Sequence, residues 1–166
     1  MAKLFETGTR CGAEFSPCRT YRYSLTRGWD DTLPCVMFIG LNPSTADETK
    51  DDPTIRRCIQ FAKDWGFGGL IMANLFAFRA TDPKDMKRAA DPVGPDNDSW
   101  LRELKDRAGL VIAAWGAHGT FAERSEKVLA MFPDAGCLGK TANGQPKHPL
   151  YIPGDSVYRP VVSSNA

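Results

Sequence analysis

The chain has 166 residues, 42% of them hydrophobic and 25% charged, with a net charge of +1. That length is enough for one domain with its own core, without disulfides or metals. The near-neutral charge excludes binding to nucleic acid through a global basic surface. No apolar run approaches the roughly 20 residues that span a bilayer, so a membrane is not an expected partner.

The first residues, Met1-Ala2-Lys3-Leu4-Phe5-Glu6, lack the apolar stretch of a secretion signal. Five cysteines are present and none forms a CxxC pair. Reduced thiols in a cytoplasmic protein are expected, with no metal and no cofactor. Charge is uneven along the chain. Residues 1–27 carry Lys3, Arg10, Arg19, Arg22 and Arg27 against Glu6 and Glu14. Residues 47–52 gather Asp47, Glu48, Asp51 and Asp52 against Lys50.

Residues 1–20 lack periodicity and read as a loose N-terminal arm. Tyr21-Arg22-Tyr23-Ser24-Leu25 alternates, as an edge strand does. Cys35-Val36-Met37-Phe38-Ile39 is an unbroken apolar run that ends in Gly40-Leu41-Asn42-Pro43-Ser44. It reads as a strand buried on both faces, stopped by a proline that cannot donate to a ladder. Asn42 then lies at the strand's C-terminal tip, the end where open α/β sheets bind ligands.

Asp52-Pro53 is a cap followed by a proline suited to the first helical position. Ile55, Cys58, Ile59, Ala62 and Trp65 follow at helical spacing, and Gly66 ends the segment. A second buried strand is expected over residues 70–76. Strand, helix, strand is a right-handed crossover joining parallel strands.

Asp82-Pro83 repeats the capped start for a short helix through Ala89. Residues 99–108 read as helix, with Trp100, Leu101, Leu104 and Ala108 on one side. Residues 110–116 read as a third buried strand. Thr120 with Glu123 forms a capping box for a helix that stops at Pro133. Residues 135–138 read as a short fourth strand, and residues 154–166 as a frayed tail. The alternation predicts one domain over residues 1–166. Its architecture is a three-layer α/β/α sandwich around a mainly parallel sheet of about four strands.

Three strand tips and one late loop therefore converge on one sheet edge, bringing Asn42, Asn74, Trp115-Gly116 and His148 together. Each has a bland reading as well. Asn42 before a proline suits an ordinary turn. Asn74 could bond a neighbouring loop, since a buried amide needs partners. His148 could anchor its loop, and Asp51 and Asp52 read as capping residues.

Gly40-Leu41-Asn42-Pro43-Ser44 resembles the first motif of the uracil-DNA glycosylase superfamily, and His148-Pro149 resembles the start of its second. Ile71-Met72-Ala73-Asn74 is similar to the strand that carries that superfamily's base-reading Asn. More closely, Leu41-Asn42-Pro43-Ser44, Asp52-Pro53-Thr54, Asn74-Leu75-Phe76-Ala77 and His148-Pro149-Leu150 look like a bacterial and phage domain family of unknown function.

The resemblance implies the strand order 2-1-3-4 and an enzyme that cleaves the N-glycosidic bond of a modified base, in nucleic acid or in a nucleotide. Asn42 would position the attacking water, and His148 would stabilise the departing base. Asn74 would read the base edge. Gly40, Pro43, Ser44 and Phe76 complete the implied substrate-binding set. Arg79 and Lys147 would contact phosphates, and Leu150 or Tyr151 would fill the gap left by a flipped nucleotide. The sequence departs from the superfamily's pattern at Ser44, at Leu150 where a Ser is usual, and in the acidic run after the first motif. A nucleotide-recognition module without catalysis and a base-modifying transferase are the alternatives.

Overall fold

The computed structural model describes residues 10–161. The longest apolar run forms β3 (Cys35–Gly40), buried along its whole length. It pairs in parallel with β4 (Gly69–Asn74) on one side and β5 (Ala108–Ala113) on the other. Strands this apolar must be covered on both faces. The helices do so, because alternate residues of each strand point to opposite sides.

On one face, Val36, Phe38, Leu70 and Met72 pack against Ile55, Cys58, Phe61 and Ala62 of α1 (Pro53–Asp64). Asp52 caps this helix, its carboxylate accepting from Ile55 N–H at 2.9 Å, and Pro53 opens the first turn. On the other face, Met37, Ile39, Ile71 and Ala73 meet three helices: α2 (Pro83–Arg88), α3 (Asn97–Lys105) and α4 (Arg124–Met131). Met86, Leu101, Leu104 and Val128 are their buried contributions. Each fully buried side chain of this size contributes about 1.5–3 kcal/mol, so the two faces hold the sheet from both sides.

The sheet is larger and more mixed than expected. Among the described residues it has seven strands, in the order β1-β2-β4-β3-β5-β6-β7. The four central strands, β4-β3-β5-β6, run parallel, where β6 is Gly136–Cys137. On one side β2 (Arg22–Gly28) pairs antiparallel with β4 and β1 (Arg10–Phe15) antiparallel with β2; on the other β7 (Arg159–Pro160) pairs antiparallel with β6.

Three readings are corrected by this. Within the expected loose arm, residues 10–15 form β1, because β2 offers them a ladder; residues 1–9 lie outside the described residues. For the same reason β2 is an interior strand rather than an edge. Residues 159–160 of the expected frayed tail pair with β6, and residues 162–166 lie outside the described residues. The capping box at Thr120 and Glu123 does not form. Residues 117–123 make a 3₁₀ stretch, and Ala122 and Glu123 take left-handed backbone angles before α4 begins at Arg124. No helix among the described residues is long and apolar enough to cross a membrane.

Candidate functional site

The C-terminal tips of β3 and β4 lie side by side, with Gly40 opposite Asn74 in register. Chain continues the ladder beyond both tips, as Leu75 N–H donates to Gly40 O at 2.9 Å and Phe76 N–H to Leu41 O at 3.0 Å. The end of β4 is clamped from the opposite face. Asn97 Nδ2 donates to the carbonyls of Asn74 and Leu75, and Arg124 Nε also donates to Leu75 O. Gly40 makes room for the Asn74 side chain: a Cβ there would stand 3.0 Å from Asn74 Oδ1 and 2.8 Å from Met72 Cε.

Above these tips lies a cleft of about 820 Å³, walled by Leu41, Ile55, Met72 and Trp115 among others. Its size falls within the roughly 300–1,000 Å³ typical of small-molecule sites. Asn42, Asn74 and His148 all line it, as do Gly40, Pro43, Ser44, Lys147, Leu150 and Tyr151. Leu150 and Tyr151 stand at the rim, the latter 81% exposed with its ring 5.6 Å from that of His148.

Asn42 Nδ2 donates to Ala80 O at 2.8 Å and Pro43 O at 3.2 Å. Two carbonyl partners fix the amide's orientation and leave Oδ1 as an acceptor. Asn74 is 2% exposed, and its Nδ2 has no hydrogen-bond partner among the described residues. An unsatisfied buried donor costs about 1–3 kcal/mol, which a ligand acceptor would recover.

His148 Nδ1 accepts from Leu150 N–H at 3.2 Å, so the neutral ring carries its proton on Nε2. Burial pushes the imidazole below its ordinary pKa, and the Asp52 carboxylate opposes that shift. The ring is therefore a neutral donor near pH 7.

Two expected residues are elsewhere. Phe76 is fully buried in the core on the opposite face, against Phe121: alternation would keep residues 74 and 76 on one face, but β4 ends at Asn74, and Leu75 and Phe76 both join that core. Arg79 lines an adjoining depression with Arg19, Ser44 and Thr45. Its guanidinium lies 4.8 Å from the centre of the Phe15 ring, which Arg19 also covers at 3.8 Å. Cation–π attraction draws it away from the cleft.

The acidic run is committed to contacts within the chain. Asp47 accepts from Thr49 and Lys50 N–H, Glu48 pairs bidentately with Arg19, Asp51 pairs with Arg27, and Asp52 caps α1. Asp52 is also the one carboxylate among the described residues lining the cleft. No group of three His, Cys, Asp or Glu side chains that could hold a metal ion occurs among the described residues.

Arg22 is one of several lining residues, His118 and Thr54 among them, that sequence reasoning missed. Strict alternation would set it opposite Tyr23 and on the face of Ser24. The β1–β2 ladder instead slips by one residue, pairing Ser24 with Glu14 and Arg22 with Phe15, so that Tyr23 is extra. Such a bulge re-aims the side chains beyond it. It leaves Tyr23 stacked on Trp100 and brings Arg22 to the cleft side. Nothing in the local sequence marks the slip.

A family model described as "Protein of unknown function (DUF1643)" matches residues 22–150. No curated protein and no solved structure matches the chain.

Proposed function

The chain belongs to the DUF1643 family, and from that footing we propose that its cleft binds a nucleotide unit and hydrolyses the bond between base and sugar. One observation carries the reading: an acceptor (Asn42 Oδ1), an unpartnered buried donor (Asn74 Nδ2) and a neutral imidazole (His148) line one cleft over the tips of parallel strands. Helices on both sheet faces and the parallel central order β4-β3-β5-β6 support the reading.

In this reading Asn74 donates to a carbonyl or ring nitrogen of the base. Asn42 Oδ1 accepts from a water and aims it at the anomeric carbon. As that water's oxygen bonds to carbon, the C–N bond breaks and its electron pair leaves with the base. His148 Nε2–H donates to the base atom that gains the charge. The water's proton is lost to solvent or to the departing base, because an amide cannot take it. Chemistry of that kind is slow, and modified bases that are better leaving groups are the expected substrates. Leu150 and Tyr151, exposed at the rim, are placed to fill a gap in a nucleic-acid stack.

The test is incubation with oligonucleotides bearing varied modified bases, followed by alkaline cleavage at abasic sites. Base release that falls at least tenfold in Asn42→Ala and His148→Ala supports the reading. Binding without base release, unchanged by Asn42→Ala, would favour a recognition module, which the lack of a carboxylate at position 42 also fits. Covalent change of the base without its release would favour a base-modifying transferase.

A further inference from the structure

Arg22 has no role in the chemistry described above, yet it is 2% exposed and lines the same cleft. Its Nη1 donates to Ala46 O at 3.1 Å. Its Nε is buried with no partner, and no carboxylate lies within ion-pairing distance of it among the described residues. Burial pushes the guanidinium down to about 10, so it still carries its charge at neutral pH. A buried charge without a counter-ion costs several kcal/mol in general. Folded proteins keep such a group where something else supplies the opposite charge.

Asn74 repeats the pattern at the adjacent strand tip, with its own orphaned N–H donor. Both orphans in this cleft are donors. The ligand face that meets them must be rich in acceptors, and a full negative charge is what Arg22 lacks. Asp52 is near enough to raise the guanidinium's pKa, but its Oδ1 is held by Ile55 N–H at the start of α1. Arg27 and Arg79 add positive potential at the guanidinium.

We infer that the cleft contains an oxyanion subsite in which Arg22 binds the phosphate of the ligand. The nucleotide nature of that ligand rests on the proposed function; the anion subsite rests on Arg22 alone. The nucleotide enters with its base toward His148 and its phosphate against the guanidinium. Phosphorylated ligands are therefore selected over the corresponding nucleosides.

The test uses the whole protein and two measurements. Thermal unfolding is followed in inorganic phosphate, in acetate and in chloride at equal ionic strength. Nucleoside monophosphates and nucleosides are then titrated by calorimetry. Phosphate should raise Tm above its value in chloride, and monophosphates should bind at least tenfold tighter than nucleosides. A rise in acetate matching that in phosphate assigns the subsite to carboxylates and overturns the inference.

Arg22→Met should abolish both the phosphate effect and the tenfold preference while nucleoside binding persists. Arg22→Lys keeps the charge and loses the Nε donor. It should retain a reduced preference, and it serves if the Met variant does not fold. Equal binding of monophosphate and nucleoside to the native protein would overturn the inference. So would a preference that survives in both variants. Phosphate dependence without base release leaves the inference standing and removes the hydrolase; base release indifferent to phosphate does the reverse.

Discussion

Two arginines on β2 are buried to the same extent and live in opposite circumstances. Arg27 Nε donates to Asp51 at 2.9 Å. Its terminal nitrogens reach the carbonyls of Thr26 at 2.9 Å and Asp47 at 2.7 Å, with Gly12 and Lys50 slightly farther. Arg22, at the other end of the strand, has the Ala46 carbonyl and an idle Nε. Since burial is equal, the difference lies in partners. Arg27 is an organiser of the chain's own acidic loop, with its counter-charge built in. Arg22 faces a cleft and forms no ion pair among the described residues.

That contrast is broken most directly by removing each group in turn. Arg27→Ala leaves Asp51 unpaired and two short carbonyl contacts unfilled, and should cost about 3–5 kcal/mol in urea unfolding. Arg22→Met should change stability by no more than about 1 kcal/mol. The lost bond to Ala46 O and the relief of an uncompensated charge oppose each other. Equal losses in the two variants would make Arg22 an ordinary structural arginine.

Gly40→Ala sharpens the comparison from the neighbouring strand. The new methyl meets the flexible end of Met72 and the amide of Asn74. Overpacking of this kind should cost about 1–2 kcal/mol. Nucleotide binding should weaken by more than tenfold, because the displaced amide no longer faces the ligand. Unchanged affinity in a titration would show that Asn74 is not a contact.

The smallest expected effect is on pH dependence. His148 has a lowered folded pKa, so the folded state holds its proton less tightly than the unfolded chain does. The unfolded state then binds more protons, and stability falls as pH drops below about 6.5. The fall ends below the folded pKa. Protonation at Nδ1 would also break the bond from Leu150 N–H. Unfolding curves measured across that range should differ between the native protein and His148→Gln, which lacks this slope.

Much of the central sheet was legible in the chain. Runs such as Cys35-Val36-Met37-Phe38-Ile39 admit no amphipathic alternative, and two Asp-Pro pairs mark where α1 and α2 begin. The outermost strands, β1 and β7, were not, because Arg10–Phe15 and Arg159–Pro160 are strands only by virtue of their neighbours. Asn42, Asn74 and His148 could be placed at one edge because strand tips are marked by Pro43 and by the end of an apolar run. Arg22 could not. Its direction depends on a one-residue slip against β1, a property of two strands together. Thr120 and Glu123 had the spacing of a capping box, but two left-handed residues, Ala122 and Glu123, intervene before α4.

A crystal soaked with nucleoside monophosphates and free bases tests the central claim most directly. The account predicts a base between Asn42 and His148, with an acceptor within hydrogen-bond distance of Asn74 Nδ2 and phosphate oxygens on Arg22. A cleft that holds only water while those donors stay idle, or a ligand seated elsewhere, would contradict it.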